Sequence, residues 1–554
     1  MSRLLLGVLI SCLIPVGASA AQTAPPDTVL APETVVEAAR LIGLQFTPAE
    51  IDTMVPDLLE HRDSYRVLRE LDVANSVPPA LLLQIRPLGM DPAQGLASGP
   101  ARWSDPGEVV RPDDLNDLAH WSVGQLARLI ETRQVTSVEL TELYLDRLES
   151  HDKTLLCVVT LTRERALAAA TRADAEMESG LYRGPLHGMP FGAKDLFAVP
   201  GYKTTWGATP YQEQTLDDTA TVVRKLEDAG AVLVAKLTLG ALAWGDVWFG
   251  GMTRNPWNTE QGSSGSSAGS ASAVAAGLVP FALGTETLGS IVSPSTRCGC
   301  TGLRPTFGRV SRAGAMALSW SMDKVGPICR TVEDCALVFD VIRGPDGRDQ
   351  TVNNAPFGYQ PEMDLGKLRI GYLESAFNDE DPHAELDSGT LEVLRGLGAE
   401  LIPMELPSYP VNELAFILSA EAAAAFDQLT VSDRDDELVR QVRYAWPNVF
   451  RYSRMIPAVE YIQANRVRWQ VIQAMAELME DIDVYVAPTF GGDNLVLTNL
   501  TGHPCVVLPN GFRQNGAPHS ITFTGDLFDE ATLLAVAKAY QDATDFHRQH
   551  PPGF

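Results

Sequence analysis

The sequence predicts an α/β protein with a largely buried central sheet, and two observations carry this prediction. From Leu155 onward, short apolar runs alternate with longer segments of helical periodicity, which is typical of strands that alternate with helices. The composition, with 45% hydrophobic and 20% charged residues over 554 positions, is that of a globular chain. Such a chain is long enough to bury a sheet without disulfide or metal support.

The N-terminus has the features of an export signal. Arg3 gives it a positive charge, Leu4–Val16 is an apolar run, and Ala18–Ala20 fits a cleavage site. The run is too short for a transmembrane helix, which needs about 20 apolar residues. We therefore expect residues 1–20 to be a signal peptide and the protein to be periplasmic or secreted. The alternative is a lipoprotein signal with the lipid on Cys12, which leaves a shorter apolar region.

Residues 21–114 are expected to form a helical extension followed by a linker. Thr47–Glu50 has the pattern of a capping box with proline in the first turn, so a helix should begin there and run to about Leu71. The stretch Pro78–Asp114 is rich in proline and glycine, which is typical of a connecting arm. This division leaves residues 115–554 as the main domain.

The main domain begins with two further capping boxes, Ser122–Gln125 and Thr136–Glu139, each of which predicts a helix start. Beyond them, short apolar runs predict buried strands, and longer segments of helical periodicity lie between the runs. The predicted strands are Cys157–Leu161, Ala231–Ala235, Leu368–Leu373, Val484–Ala487 and Cys505–Leu508. The predicted helices are Ala166–Met177, Thr219–Asp228, Thr331–Ile342 and Ala531–Gln541.

Acidic residues exceed basic ones by a wide margin. With 43 Lys and Arg against 70 Asp and Glu, the formal net charge is −27, which argues against a nucleic-acid partner and against binding to anionic lipid. Six cysteines follow the signal, and most lie in apolar runs, so we expect buried free thiols. Cys298 and Cys300 lack the spacing and the neighbouring histidines of a zinc site. We expect neither a metal nor a cofactor.

A Gly/Ser-rich loop, Gly262–Ser270, is a candidate functional site because ordered segments follow it. Such a composition is usual in flexible linkers. Here it leads into Ala271–Leu278, a helix of small apolar residues, and then into the apolar segment Pro280–Ile291. Small residues beside a helix start let backbone N–H groups approach a ligand closely.

Several linked motifs resemble those of the amidase signature family, in the family's order, from about Ser122 to His547. Besides the Gly/Ser loop they are Arg183–Pro190, Ala193–Asp195, Gly284–Pro294, Cys298-Gly299 with Gly302–Arg312, and Asp323–Pro327 with Arg330–Asp334. The resemblance implies that residues 115–554 form a catalytic domain with a mixed central β-sheet covered by helices on both faces. It also implies hydrolysis of a carbon–nitrogen bond in a small-molecule or peptide amide.

Carried over residue by residue, the resemblance implies a nucleophile at Ser290, a bridging serine at Ser266 that is held through a cis peptide, and a base at Lys194. The oxyanion hole would be formed by the backbone N–H groups of Thr287, Leu288, Gly289 and Ser290. Lysine can act as a base only when neutral, and at its reference pKa of about 10.4 the neutral fraction at pH 7 is below about 0.1%. Apolar neighbours such as Phe191 predict a buried Lys194 with a lowered pKa.

Departures from the family pattern leave the substrate open. Leu288 stands where the family usually has glycine, Val292 stands where it often has arginine, and Ala268 replaces a common glycine. The first two also occur in secreted amidases that resemble peptide amidase. Peptide amides, aryl amides, carbamates and short aliphatic amides all fit the sequence.

Other residues offer rival chemistry. Lys236, in an apolar run, is a weaker candidate for the base, and Ser267 is expected only to hydrogen-bond within the site. Gly265–Gly269 matches the G-x-S-x-G elbow of α/β-hydrolases, with a base at one of two histidines, His503 or His519, but turn formers rather than a strand precede it. Ser321–Lys324 matches the S-x-x-K motif of penicillin-binding enzymes, but no K-T-G follows it.

The export signal and the net charge of −27 favour an exported, stand-alone amidase. Within the family, the alternative is the glutaminase subunit of the amidotransferase that acts on charged tRNA. An alternative of another class is an exported solute-binding protein or an inactive scaffold. The joint presence of Lys194, Ser266 and Ser290 argues against that last interpretation.

Overall fold

The computed structural model describes residues 30–71, 73–377 and 382–554. The predicted signal peptide, with Cys12, lies outside these residues. The described residues up to Val73, together with Gln428–Arg434, form one compact unit, and Ala74–Asp427 with Asp435–Phe554 forms a second, larger unit. The proline- and glycine-rich arm therefore belongs with the larger unit, and the domain boundary at residue 115 stays a prediction.

The smaller unit contains the first two helices, α1 (Pro32–Leu41) and α2 (Pro48–Arg69). Thr47 caps α2: its N–H donates to the Glu50 carboxylate at 2.7 Å, and its Oγ1 accepts from the N–H of Glu50 at 3.4 Å. This capping box satisfies donors that have no partner inside the first helical turn. The predicted helix is confirmed, and it ends close to the predicted Leu71.

In the described residues, eleven strands form one mixed sheet and four short strands form two separate ribbons. In chain order the strands are β1 (Val158–Leu161), β2 (Pro190–Lys194), β3 (Val232–Leu237), β4 (Val247–Trp248), β5 (Gly251–Met252), β6 (Arg254–Asn255), β7 (Asn258–Gly262), β8 (Phe281–Glu286), β9 (Thr301–Arg304), β10 (Lys324–Cys329), β11 (Ile370–Leu373), β12 (Leu401–Met404), β13 (Val484–Pro488), β14 (Cys505–Phe512) and β15 (Pro518–Gly525). The sheet order is β1-β3-β2-β8-β10-β9-β14-β15-β13-β11-β12. Strand β2 is parallel to β3 and β8, and β11 is parallel to β12 and β13, whereas the other neighbours are antiparallel.

Helices flank this sheet. In chain order they are α3 (Val123–Glu131), α4 (Ser137–Leu155), α5 (Arg163–Glu178), α6 (Thr221–Asp228), α7 (Ala268–Ala275), α8 (Val292–Cys298), α9 (Val332–Ile342), α10 (Ala384–Gly396), α11 (Phe416–Ala425), α12 (Asp427–Val431), α13 (Trp446–Ser453), α14 (Ala458–Met479), α15 (Asn494–Thr501) and α16 (Glu530–Asp542). Ser122 and Thr136 cap α3 and α4 in capping boxes, as predicted. Over the part of the chain that the structure describes, no helix is long and apolar enough to cross a membrane.

Each strand and helix predicted for the main domain is present, with ends shifted by a few residues. The helices between β12 and β13 were not predicted. In α11 the reason is visible in its sequence, Phe-Ile-Leu-Ser-Ala-Glu-Ala-Ala-Ala-Ala. Small and apolar residues lie on all sides of this helix. The sequence therefore lacks the contrast between an apolar and a polar face from which a helix is predicted.

Small residues bring α7 against the sheet. All eight residues of α7 are buried, and a Cβ on Gly269 would meet the carbonyl oxygen of Cys157 at 2.4 Å and the amide nitrogen of Thr238 at 2.5 Å. The Gly/Ser loop therefore leads directly into a buried helix and is not a flexible linker. The neighbouring strands β2 and β8 also contact each other through the stacked rings of Phe191 and Phe281, whose centroids are 5.5 Å apart.

Candidate active site

Lys194 is the last residue of β2, and its side chain is fully buried. Its Nζ donates to Oγ of Ser266 and to Oγ1 of Thr285, at 2.8 Å in both cases, and to Oγ of Ser267 at 3.2 Å. These partners are uncharged hydroxyls, which can accept from an amine and can also donate to one. None of the ion pairs among the described residues includes Lys194.

Burial lowers the pKa of Lys194 to about 7, because desolvation disfavours the ammonium form. The negative charges of Asp323 and Glu286 act in the opposite direction and weaken the shift. A pKa near 7 leaves about half of the molecules with a neutral amine at that pH. The net shift from the ordinary value, which includes the opposing charges, corresponds to about 5 kcal/mol between the ammonium and the neutral amine.

The Gly/Ser loop brings Ser266 to Lys194 and lies beside Ser290. The peptide bond between Gly265 and Ser266 is cis. A Cβ on Gly265 would lie 1.9 Å from the carbonyl oxygen of Gly245, so only glycine fits at this position. The N–H of Ser267 donates to the carbonyl oxygen of Ser290 at 3.1 Å. This hydrogen bond holds the loop against the turn that carries Ser290.

Ser290 lies in the turn between β8 and α8, with 9% of its surface exposed. Gly289 before it has a φ of +84°, a conformation that L side chains rarely adopt. The N–H groups of Ile291 and Val292 both donate to the Glu286 carboxylate. Four consecutive N–H groups of this turn donate to no described residue; they belong to Thr287, Leu288, Gly289 and Ser290.

Glu286 is a buried carboxylate that the sequence analysis missed. It accepts from the guanidinium of Arg304 and from the amide of Asn499, at 2.9 Å each. Burial raises its pKa, but Arg304 and the backbone N–H of Val292 outweigh burial and lower the pKa to about 2. The ionised carboxylate fixes the turn that leads into α8. A lone acidic residue at the end of an apolar strand could have pointed to it, because such residues are seldom buried without a partner.

A cavity of about 560 Å³ opens next to this group. Thr285 and Thr287 are part of its wall, together with Asp323 and Lys324. Because Thr285 also accepts a hydrogen bond from Lys194, the cavity reaches the edge of the Lys194–Ser266 pair. Its volume is within the range of small-molecule binding sites.

The sequence and the fold match a known family. A family model described as Amidase matches residues 139–495, more than half of the chain. The chain belongs to the amidase family. The predicted fold and the family resemblance are thereby confirmed, and the protein is an amidase, a hydrolase that acts on carbon–nitrogen amide bonds.

Relatives of this amidase include amidotransferase subunits and a peptide amidase. A subunit of glutamyl-tRNA(Gln) amidotransferase from Methylococcus capsulatus is 34% identical over 483 residues, which cover 78% of this chain and 99% of the relative. The corresponding protein from Chloroflexus aurantiacus is 35% identical over 484 residues, which cover 79% of this chain and 99% of that relative. Among solved structures, native peptide amidase from Stenotrophomonas maltophilia is 30% identical with a TM-score of 0.70, covering 79% of this chain and 99% of that one.

Lys236, the second candidate base, has partners outside the Gly/Ser loop of this amidase. Its Nζ forms an ion pair with Asp195 at 2.7 Å and donates to the carbonyl of Lys203 and to Oγ1 of Thr204, at 2.9 Å each. The structure thus separates two buried lysines that the sequence left as rivals. Of these two lysines, Lys194 is the one that hydrogen-bonds to serines of the Gly/Ser loop.

The two rival motifs do not assemble their own sites. Ser321 is held by Glu421 and Arg468, while Lys324 donates to the carbonyl of Met322, so the S-x-x-K segment forms no serine–lysine pair. The two candidate histidines of the G-x-S-x-G interpretation also have other partners: His503 hydrogen-bonds to Thr501, and His519 to Asp387. The serine of that motif, Ser267, accepts from Lys194 and donates to the carbonyl oxygen of Thr285 instead.

The departures from the family pattern fall around Ser290. Leu288 is half-buried beside the four available N–H groups. Val292 is buried against Cys505 and Val507, so an apolar contact occupies the position where the family often has an arginine. Elsewhere in the described chain, all six cysteines are buried free thiols, and no cluster of metal-ligating side chains is found.

Proposed function

We propose that this amidase cleaves its substrate through an acyl-enzyme on Ser290, with Ser266 as the proton relay and Lys194 as the base. One observation carries the proposal: a fully buried lysine, free of carboxylate partners among the described residues, hydrogen-bonds to the serine loop beside Ser290. A base that must be neutral to act is found where burial lowers its pKa.

The first half-reaction forms the ester. Ser290 Oγ attacks the amide carbonyl carbon while its proton passes to Ser266 Oγ, whose own proton passes to the neutral amine of Lys194. The carbonyl oxygen becomes an oxyanion that accepts hydrogen bonds from the N–H groups of Thr287 to Ser290, which donate to no described residue. The carbon–nitrogen bond then breaks, and the proton returns from Lys194 through Ser266 to the leaving amine.

The second half-reaction releases the acid. Water attacks the ester carbonyl, gives a proton to Lys194 through the same relay, and displaces Ser290 Oγ, which recovers its proton. Acid and amine leave, and the enzyme returns to its starting protonation state. The reaction therefore needs no redox partner, and water is the only co-reactant.

Replacing Ser290 tests the nucleophile. Ser290→Ala should lower turnover by about 10⁴-fold or more while the thermal midpoint stays unchanged, because the variant lacks only one hydroxyl. It should also lose covalent labelling by a fluorophosphonate, which the parent protein should show by mass spectrometry. Ser270→Ala is the matched control, since Ser270 in α7 donates to the carbonyl of Leu283 in β8. Normal turnover by Ser290→Ala would show that another residue is the nucleophile.

The second candidate function is that of a glutaminase within an amidotransferase complex. The identity to the amidotransferase relatives favours it, at 34–35% over nearly their full length, whereas the net charge of −27 opposes a tRNA-bound complex. The purified chain should decide the matter by its own kinetics. We expect turnover of simple amides without any added protein. Activity with glutamine alone, stimulated by partner proteins, would favour the glutaminase.

We also propose that the chain is exported. The support is the pattern of residues 1–20 described above. Fractionation of cells that express the full chain should recover a protein whose N-terminus is Ala21, outside the cytoplasm. Cys12→Ala should behave identically, whereas loss of processing in this variant would identify a lipoprotein. A full-length protein in the cytoplasm would contradict export.

A further inference from the structure

A short segment upstream of the region matched by the amidase family model lines the cavity beside Lys194. We call Asn75–Leu82 the arm segment; it lies in the larger unit and contains no helix or strand. Five of its residues, Ser76, Pro78, Pro79, Ala80 and Leu82, are part of the same cavity wall as Thr285 and Thr287. The family match begins at residue 139, so these wall residues precede it by more than fifty positions.

The arm segment is anchored where it begins. The side-chain amide of Asn75 donates to the carbonyls of Ala317 and Ala425, at 2.9 and 3.2 Å, and its Oδ1 accepts from the N–H of Ala317 at 2.8 Å. Ala317 is itself part of the cavity wall. Two consecutive prolines, Pro78 and Pro79, then restrict the backbone. The hydrogen bonds of Asn75 therefore fix the first residue of the arm segment against the cavity wall.

The cavity wall carries both polar and apolar groups. Thr285 and Thr287 lie in it beside Lys194, and Asp218, Arg312, Arg348 and Asp349 bring charged side chains to it. The arm segment carries no charged side chain, and buried Met316 and Leu318 add further apolar surface to the cavity. An amide bound in this cavity can bury an apolar substituent against the arm segment, Met316 and Leu318.

We propose that the arm segment is a specificity wall that selects amides carrying an apolar chain or ring next to the reacting carbon–nitrogen bond. This inference rests on the proposed function, because it takes the cavity beside Lys194 as the substrate site. Apolar surface buried against Leu82 and the prolines stabilises the bound substrate in proportion to its area. Longer apolar substituents should therefore be better substrates than short ones.

The chain offers a matched pair of leucines for the test. Leu82 lines the cavity and is 44% exposed, whereas its neighbour Leu81 is 82% exposed and does not line it. Leu82→Ala and Leu81→Ala thus make the same chemical change at adjacent positions of one irregular segment. Any general effect on the arm segment should appear in both variants, and an effect on substrate contact only in Leu82→Ala.

The experiment measures kcat/KM for the full chain and both variants with two substrate series. One series is linear carboxamides from acetamide to hexanamide, and the other is N-alkyl acetamides from methyl to pentyl. The two series place the apolar chain on the acyl side or on the amine side. In at least one series, we expect the parent to favour the longest substrate over the shortest by about 10-fold or more. Leu82→Ala should reduce that ratio by about 5-fold, and Leu81→Ala should keep it within about 2-fold.

A bulky replacement gives the opposite test. Leu82→Trp should lower kcat/KM for the longest substrate more than for acetamide, because the larger ring fills part of the cavity. Two results would overturn the proposal: a parent enzyme with no preference for chain length, or equal ratios in Leu82→Ala, Leu81→Ala and the parent. Failure of the proposed function is a different result, in which Ser290→Ala keeps the activity of the parent on acetamide.

Discussion

Two buried lysines on neighbouring strands have different surroundings, and the difference explains why one is suited to act as a base. Lys194 ends β2 and Lys236 lies in β3, where Lys236 is paired with Ala193 in the parallel register. Both side chains are fully buried. Lys236 has a carboxylate, Asp195, at 2.7 Å, whereas the close partners of Lys194 are hydroxyls.

Burial lowers the pKa of both lysines, since desolvation acts on each of them. For Lys236, the Asp195 carboxylate opposes this effect directly and raises the pKa. A buried ion pair needs both charges, so removal of either partner leaves the other uncompensated. Lys194 forms no such ion pair with a described residue, and in the proposed relay it exchanges a proton with Ser266. The comparison predicts that Lys194 matters for turnover and Lys236 for stability.

The largest expected effect is on Lys194. Lys194→Ala should lower kcat/KM by about 10³- to 10⁴-fold, because the relay from Ser290 through Ser266 then ends without an acceptor. Lys194→Arg should not restore activity, since a guanidinium stays protonated. Thermal unfolding of Lys194→Ala should stay near that of the parent enzyme. Near-normal turnover by Lys194→Arg would refute the relay.

Lys236→Met should show the reverse pattern. The free energy of unfolding should fall by about 3–5 kcal/mol, because Asp195 is left buried without its cation. Chemical denaturation measures this loss, and kcat per folded molecule should stay within a few-fold of the parent value. The double variant Asp195→Asn/Lys236→Met is the control, and it should be more stable than Lys236→Met alone. A fall in kcat as severe as that of Lys194→Ala would remove the distinction between the two lysines.

The pH dependence of kcat/KM sharpens the comparison further. In the proposed relay Lys194 acts when neutral, so activity should rise with pH through a midpoint near 7, the pKa that burial gives this lysine. Below the midpoint the neutral fraction falls tenfold per pH unit, and the rate at pH 5 should be about 100-fold below the plateau. A substrate that does not titrate between pH 5 and 9 is needed for the measurement.

Lys324 provides the control for this profile. It lies in the cavity wall, and burial together with the nearby Arg304 lowers its pKa to about 7 as well. Two lysines could therefore give the same midpoint. We expect Lys324→Met to retain the acid limb, because Lys324 donates to the carbonyl of Met322 rather than to the serine loop. If the limb disappears in Lys324→Met, then Lys324 and not Lys194 sets the profile.

The sequence could separate the two lysines only in part. The motif around Lys194 singles it out by resemblance, and its apolar neighbours predict burial, but Lys236 lies in an equally apolar run. What distinguishes them is the position of Asp195, which follows Lys194 in the chain yet forms an ion pair with Lys236 on the next strand. That geometry depends on the register of β2 and β3, and β2 was not predicted because Gly192 and Pro190 weaken its strand signal.

Other parts of the site depend on contacts that local patterns cannot show. The capping boxes at Thr47, Ser122 and Thr136 were predictable because the interacting residues are three positions apart. The contact between Asn75 and Ala317 joins residues 242 positions apart, and no local pattern marks it. Thr285 was missed for a similar reason, since threonine is common in strands and its partner Lys194 is 91 positions away.

Thr285 gives the smallest predicted effect and the finest test of the comparison. Its Oγ1 accepts from Lys194 at 2.8 Å, and a hydrogen bond to the charged form favours that form. Thr285→Val removes this acceptor, so the ammonium loses more stabilisation than the neutral amine and the pKa of Lys194 should fall. The midpoint of the pH profile should therefore move to lower pH, while the plateau rate drops by about 10-fold because the amine is less well positioned. Thr285→Ser keeps the hydroxyl and should restore both values. A midpoint that moves to higher pH in Thr285→Val would mean that the hydroxyl donates to a neutral lysine in the resting enzyme, and the relay would then begin from the opposite hydrogen-bond direction.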